Sequence, residues 1–574
     1  MTPRTAARAA CFVLVAALTG MTAAAHAQSA SSGKPVVPDV PAWLHNAVFY
    51  QIYPQTFYDT NGDGIGDFQG IIEKLDYVKS LGADGIWLNP FFDSPFHDAG
   101  YDVRDYYKVA PRYGTNDDAR RLFEEAHKRG LKVIFDYVIS YTAIDHPWFV
   151  DSCEQQPNRH SNWYVWTDNV WIQEEGPLAG SFIHGYCRRN GNFMRNFYWS
   201  QPALNFGFGK PDPKKKWQLS PRDPDVLALR EELKKIARFW MDMGADGLRA
   251  DMAGALVKGE DVNQDTKGFW REIREMFRER YPQGFMVSEW SYPVDALDGA
   301  FHADFFHWVD GYNDLMQKES WRILNDYSDG HSFFDREGKG DVARFLASYM
   351  PAYQATRSKG YICLPIGNHD LARMNNQRTT DELEMIVAFG LSMPGVPFLY
   401  YGNEIGMRQL GDLPYVEGAY KPRSGARTPM QWAPGKNLGF SSAAPEKLYL
   451  PVDAAADAPT VAAQENDRTS LLNRVRRLIR LKHTEPALAA YAEFVPLYAK
   501  SFTYPLVYAR TNGDAVVLAI FNPSAQAASA ELASPAAYKT LRLLAGKTIP
   551  IVKKAGTLRI DAPGQSYALY RLVK

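Results

Sequence analysis

Three short segments of this chain end an apolar run in an acid. They are Gly247-Leu248-Arg249-Ala250-Asp251, Met286-Val287-Ser288-Glu289 and Pro365-Ile366-Gly367-Asn368-His369-Asp370. A carboxylate at the mouth of a buried strand must be paired, liganded or put to use, because burying it alone is costly. In barrels of alternating strands and helices, the C-terminal strand ends converge on one face. Three acids there make one acidic pocket, the arrangement that breaks a sugar acetal. Taken singly, each acid reads as a rim salt bridge or a helix cap; together with Arg249 and His369 they read as a site. Arg249 lies two residues before Asp251 on the same strand face, where it can orient that carboxylate and keep it ionised.

The elements that must position these groups alternate along the chain. Strand patterns fall at Ala47–Phe57, Gly85–Asn89, Lys132–Ile139, Asp246–Ala250, Phe285–Ser288, Ala303–His307, Tyr361–Ile366 and Pro397–Tyr401. Helical patterns fall at Gly70–Leu81, with Ile71, Leu75 and Val78 on one face, then from an Asn116 cap to Lys128, and at Asp225–Met243 and Thr469–His483. Between Asp145 and Trp217 the pattern breaks into Trp, Asn, Gly, Pro and Tyr, too aromatic for disorder. After the last helix the period changes to two at Leu506–Arg510, Ala515–Phe521 and Ser566–Leu572. The expected fold is α/β, a (β/α)8 TIM barrel over 43–142 and 218–488, with a loop-rich subdomain inserted at 143–217 after strand three. A C-terminal all-β sandwich is expected over 489–574.

The 574 residues are 46% hydrophobic, enough for a large core and a second domain. Sixty-four basic residues face 65 acidic ones, so a net charge of −1 gives no reason to expect nucleic acid or an anionic membrane as partner. The 14 Trp and 32 Tyr offer stacking faces for sugars, although such rings also fill cores. Arg4 and Arg8 precede an apolar run from Ala9 to Leu18, and Ala25-His26-Ala27 offers a cleavage site. Residues 1–27 are thus expected to be a signal peptide and 28–42 a linker, the chain being exported to the periplasm or the medium. That run is too short for a membrane span, and no later one is long and apolar enough. Cys11 lies mid-run, which does not read as a lipoprotein signal. In an oxidising compartment Cys153 and Cys187 are the expected bridge, with Cys363 a small buried hydrophobe.

Placed in this way, the motifs make the chain resemble the α-amylase superfamily of retaining glycosidases from about Trp43 onward. It is most similar to the branch of trehalose synthases, sucrose isomerases, oligo-1,6-glucosidases and α-glucosidases. The matching segments include Phe57-Tyr58-Asp59-Thr60-Asn61-Gly62-Asp63-Gly64-Ile65-Gly66-Asp67 and Arg427-Thr428-Pro429-Met430-Gln431-Trp432. Ala99-Gly100-Tyr101-Asp102 and His146-Pro147-Trp148-Phe149 match as well. The resemblance implies that Asp251 is the nucleophile, Glu289 the general acid and then base, and Asp370 the third acid, gripping sugar hydroxyls. It implies a substrate site in which Tyr101 stacks under the terminal ring and Asp102 and His369 bond its hydroxyls. Tyr141, Phe149, Arg249 and Arg427 would stand beside them, and Asp136 would support Arg249. For Arg427 and Arg373, reaching the pocket and pinning a loop are both open.

Two departures stand out. The family's third strand usually ends in an Asn-His pair, and here those positions are Ser140 and Tyr141. A Tyr hydroxyl can donate as the His does, but it is longer and carries no positive charge. Ala203 stands where an Asp is usual, which weakens an amylase-type calcium site there. Met252, after the nucleophile, matches neither common linkage habit. Asp59, Asn61, Asp63, the Ile65 carbonyl and Asp67 could instead wrap a structural Ca2+, as in the first part of an EF-hand loop, or simply form a tight turn. No organic cofactor is expected. The reading that results is an exported retaining α-glucosidase or α-glucosyltransferase acting on short α-glucosides such as maltose, trehalose or isomaltose. The alternatives are a trehalose-synthase-type isomerase, supported by Arg427–Trp432 and Lys447-Leu448-Tyr449-Leu450-Pro451, and a non-catalytic sugar-binding barrel, supported only by Ser140 and Tyr141.

Overall fold

The computed structural model describes residue 37 and residues 39–259, 264–318, 322–323, 326–327, 330–418, 423–554 and 556–574. The expected signal segment and most of the linker lie outside them. Eight parallel strands form the centre: β1 (Phe49–Ile52), β2 (Gly85–Leu88), β3 (Lys132–Tyr137), β4 (Gly247–Ala250), β5 (Phe285–Ser288), β6 (Ala303–Phe305), β7 in two segments (Tyr361–Cys363 and Pro365–Ile366) and β8 (Phe398–Tyr400). Each pairs with its neighbour in sequence, and β8 pairs with β1. The first segment of β7 pairs with β6 and the second with β8, so the strand changes partner across Leu364 and the barrel closes.

Strands covered on both faces read as continuous apolar runs, and the two-residue period sorts their side chains. Phe49, Trp87, Ile134, Phe285, Val287, Ala303, Phe305, Tyr361, Cys363 and Phe398 fill one core inside the barrel. Tyr50, Ile52, Ile86, Leu88, Val133, Phe135, Leu248 and Met286 belong to the layer outside it. That outer layer packs on α1 (Phe68–Leu81), α2 (Asn116–Lys128), α3 (Pro224–Met243), α4 (Gln264–Arg280), α5 (Val342–Thr356), α6 (Thr380–Ser392) and α7 (Leu471–Thr484). The cap of α2 is Thr115 rather than Asn116. The Thr115 hydroxyl and Asp118 form a reciprocal capping box, while the Asn116 side chain is spent on Val109 and Tyr107 backbone. No described helix is long and apolar enough to cross a membrane.

The C-terminal strands are β9 (Glu493–Tyr498), β10 (Leu506–Asn512), β11 (Ala515–Asn522), β12 (Ala528–Ala533), β13 (Thr540–Gly546), β14 (Ile551–Lys554), β15 (Thr557–Ala562) and β16 (Ser566–Val573). They make antiparallel sheets ordered β9-β10-β11-β16-β13 and β12-β15-β14. Alternate residues of both, such as Leu518, Ile520, Leu558, Ile560 and Leu572, enclose a shared core. Buried Arg510 ties this unit to the barrel by donating to the carbonyl of Ser392 at the end of α6, and also to those of Ala489 (2.8 Å) and Ala492 (2.9 Å) on the connecting segment. The expected Cys153–Cys187 bridge is not formed. Both are free thiols, facing each other as hydrogen-bonding partners, and Cys363 is free and buried inside the barrel.

Candidate active site

Strand parity carries side chains to the mouth of the barrel. Trp87, Ile134 and Val287 point inward, so Asn89, Asp136 and Glu289, two residues on in each strand, point inward one layer higher. On β4, Leu248 and Ala250 pack outward, which turns Arg249 and Asp251 in. All these groups therefore meet above the same core.

Arg249 stands at their centre. Its Nη1 donates to Asp136 (2.6 Å) and Asp251 (2.7 Å), and its Nη2 contacts Glu289 at 2.8 Å. One guanidinium thus spans both acids expected to react. The other Glu289 oxygen accepts from the Trp308 indole at 3.0 Å, with His307 at 3.7 Å. Asp251 is 5% exposed and Glu289 8%. Burial raises Asp251 well above the usual carboxylate range, and although Arg249 opposes this, the Glu289 and Asp136 carboxylates add to it. Burial also pushes Glu289 up, but Arg249, His307 and Trp308 hold it well below its ordinary value. Burial lifts Asp136 to about 6 against Arg249. The opposed directions put the proton of the free Asp251–Glu289 pair on the Asp251 side, and the pair titrates as a unit. Behind Glu289, Asp304 accepts from Ser288 Oγ (2.7 Å) and the Trp290 N–H (3.0 Å), which secures the exit of β5.

Asp370 lies across the mouth. Arg423 and Arg427 each approach its Oδ1 at 3.0 Å and, against the push of burial, hold it far below the usual range. Arg427 also donates to the His369 carbonyl, so it both reaches the pocket and pins the loop. Arg373 does not reach it; its Nη1 donates to the Tyr401 carbonyl. The Tyr101 and His369 rings stack at 5.4 Å, and Tyr101 donates to Asp136 at 2.9 Å. Burial lowers His369 to about 3, so its ring is neutral. Tyr141 is buried with its phenol close enough to Asp251 and Asp98 for their charges, after burial, to raise it well above its ordinary value. The departures at Tyr141 and Ala203 face each other as an antiparallel bridge.

Two of the expected substrate residues are placed elsewhere. Asp102 turns into its own loop, accepting from Ser94, His97 and Asp98. Phe149 is the centre of the insertion's aromatic core, stacked on Trp166 at 5.7 Å. In the loop of residues 59–67, Asp59 accepts from the backbone of Asn61, Gly62 and Gly64, and Asp67 caps α1. Asn61 and Asp63 accept from Asp63 and Ile65 backbone. The oxygens are of the hard kind Ca2+ prefers, but among the described residues no three acidic, His or Cys side chains converge as metal ligands.

Sequence reasoning missed Asp98 and Trp308, which lie on loops without a period, His307, which the structure places just past β6, and Arg423, which opens a single helical turn (Arg423–Ala426) too short to show one. Asp98 binds Gln201 of the insertion at 2.8 Å, and its Oδ1 is buried without a partner. Gly418, from the loop after β8, comes so close that a Cβ there would sit 2.5 Å from Asp98, and its φ of +71° suits glycine. Tyr198 of the insertion donates to the Gly418 carbonyl. Three loops from distant parts of the chain thus interlock beside the acids and roof the pocket. Asp251 Oδ2 and Arg427 Nη1 are also buried and unpartnered, polar atoms aimed at a hydroxylated ligand.

Comparison with known proteins gives one family model, the α-amylase catalytic domain, matching residues 51–490. The trehalose synthase/amylase TreS of Mycolicibacterium smegmatis is 32% identical over 529 residues, 83% of each chain. The oligo-1,6-glucosidase of Parageobacillus thermoglucosidasius is 29% identical over 569 residues, covering 88% of this chain and 94% of that one. The solved isomaltulose synthase of Erwinia rhapontici NX5 superposes with a TM-score of 0.74 at 25% identity, over 93% of this chain and all of that one.

Proposed function

Since this chain belongs to the α-amylase family and is an enzyme of α-glucoside chemistry, we propose that it is an isomerase of short α-glucosides. The sequence reading put hydrolysis or open glucosyl transfer first; trehalose synthases and an isomaltulose synthase among its relatives favour the isomerase. Asp251 attacks the anomeric carbon as the glycosidic bond breaks, and Glu289 gives its proton to the departing oxygen. The covalent glucosyl ester is then attacked by a different hydroxyl of the freed sugar, whose proton returns to Glu289. Hydrolysis differs only in water being the acceptor. For the first step the shared proton must pass from the Asp251 side to Glu289. An incoming glycosidic oxygen drives this by taking the place of a donor at Glu289, and Arg249 then stabilises the ionised nucleophile. Asp370, ionised by its two arginines, and Asp98 hold ring hydroxyls.

The observation that carries this reading is the roof. With Asp251 and Glu289 more than nine-tenths buried beside interlocked loops, a released sugar would stay enclosed with the intermediate and bulk water would be excluded. Incubation with maltose, trehalose or isomaltose is expected to yield a new disaccharide, with little free glucose and little uptake of labelled glucose from the medium. Stoichiometric free glucose would mark a hydrolase, the reading the oligo-1,6-glucosidase likeness supports, and no product from any glucoside would return the non-catalytic barrel.

Calcium at residues 59–67 and export are separate proposals. Three carboxylates with no cationic side chain in nine residues support the first. Purified protein is then expected to carry about one equivalent of Ca2+ by elemental analysis and to melt lower in EDTA; metal-free protein of undiminished stability ends the idea. Export is supported by the N-terminal sequence alone and is checked by finding the mature N-terminus at Gln28.

A further inference from the structure

A cavity of about 320 Å³, lined by none of the catalytic acids, lies between α6, α7 and the C-terminal sandwich. That volume is at the lower end of the roughly 300–1,000 Å³ typical of small-molecule sites. Four cationic side chains line it, Arg468, Arg474, Arg477 and Lys547, against the two carboxylates Asp381 and Glu384. Both carboxylates are already engaged. Asp381 pairs with Arg474 (2.9 Å) and Lys547 (3.0 Å), while Glu384 accepts from Arg474 (2.8 Å) and the Tyr567 hydroxyl (2.6 Å). Arg477 donates to the Arg468 backbone carbonyl, which draws the two residues together, and both side chains are exposed. The Gln565 amide nitrogen on the facing wall is buried and has no hydrogen-bond partner. The cavity therefore presents guanidinium and amide donors with its acceptors spent, a lining that suits an oxyanion carrying a polar body.

We propose that this cleft binds a phosphorylated small sugar, its phosphate held by Arg468, Arg477 and the Gln565 amide. Because the walls come from barrel helices and from the sandwich, the ligand would brace the two against each other and stabilise the folded chain.

Calorimetry and thermal melts of the full chain with glucose 6-phosphate, inorganic phosphate, sulfate and glucose test this. Glucose 6-phosphate is expected to bind, phosphate to bind more weakly, and glucose not to bind at the cleft. Arg468→Ala and Arg477→Ala, both at exposed positions, are expected to weaken binding by about tenfold or more each and to leave turnover of the disaccharide substrate unchanged. Gln565→Ala should weaken it less. The idea is overturned by absence of phosphate-ester binding at millimolar concentration, by binding that survives both arginine substitutions, or by sulfate and phosphate binding alike and vanishing at physiological salt. A phosphate preference equal to that for the sugar phosphate would overturn the sugar part alone.

Discussion

Asp251→Ala is expected to leave a folded chain whose turnover of α-glucosides falls by about four to six orders of magnitude, the scale of losing a covalent nucleophile. The fold should survive because Arg249 keeps Asp136 and Glu289 as counter-charges after the substitution. The alanine also leaves room for a small anion beneath the anomeric carbon. Azide supplied in solution should then restore partial cleavage of an activated aryl α-glucoside, with a product of inverted, β configuration, because one displacement replaces two. Circular dichroism and melting checks the fold, and NMR of the azide product reads the configuration. Near-normal turnover, or an α-configured azide, would remove Asp251 from the nucleophile's role.

Glu289→Gln is expected to slow natural disaccharides by about 10² to 10⁴, the usual worth of a positioned acid–base group. The loss should nearly vanish in the first step for dinitrophenyl leaving groups, which depart without a proton. A structural role would slow both substrates alike. The pH profile separates the two further. Asp251 is raised by burial first and then, against Arg249, by the Glu289 and Asp136 charges. The free site holds its proton on the raised Asp251 side and reaction needs that proton carried over to Glu289, so its loss as pH rises sets the basic limb of kcat/KM. Gln at position 289 removes one repelling charge, lowers the Asp251 pKa and has no acidic proton to supply. With a dinitrophenyl substrate the basic limb should therefore disappear, leaving activity that falls only as pH drops through the lowered Asp251 value. A basic limb that stays in place would mean that the two carboxyl groups are not coupled.

The catalytic layer was legible in the sequence because a strand repeats every two residues. From the apolar residues Val287 and Leu248 alone, the directions of Glu289, Arg249 and Asp251 follow, and the structure gathers them around one guanidinium. The alternation of strands and helices similarly announced the barrel, and the change to period two announced the sandwich. Loops have no such period. Asp98 and Asp102 stand four residues apart in one loop, and the sequence reading took the wrong member of the pair into the pocket's wall in place of its neighbour. Asp102 is held by its own loop, while Asp98 meets Gln201 and Gly418. Trp308 and Arg423 were likewise silent, since each acts on an acid from another βα loop. The sequence by itself thus determined which chemistry this barrel holds. Only the tertiary structure decided which loop side chains complete it and that a roof closes over it, because those contacts join segments hundreds of residues apart, as Tyr198 meets Gly418, and no local pattern encodes their meeting.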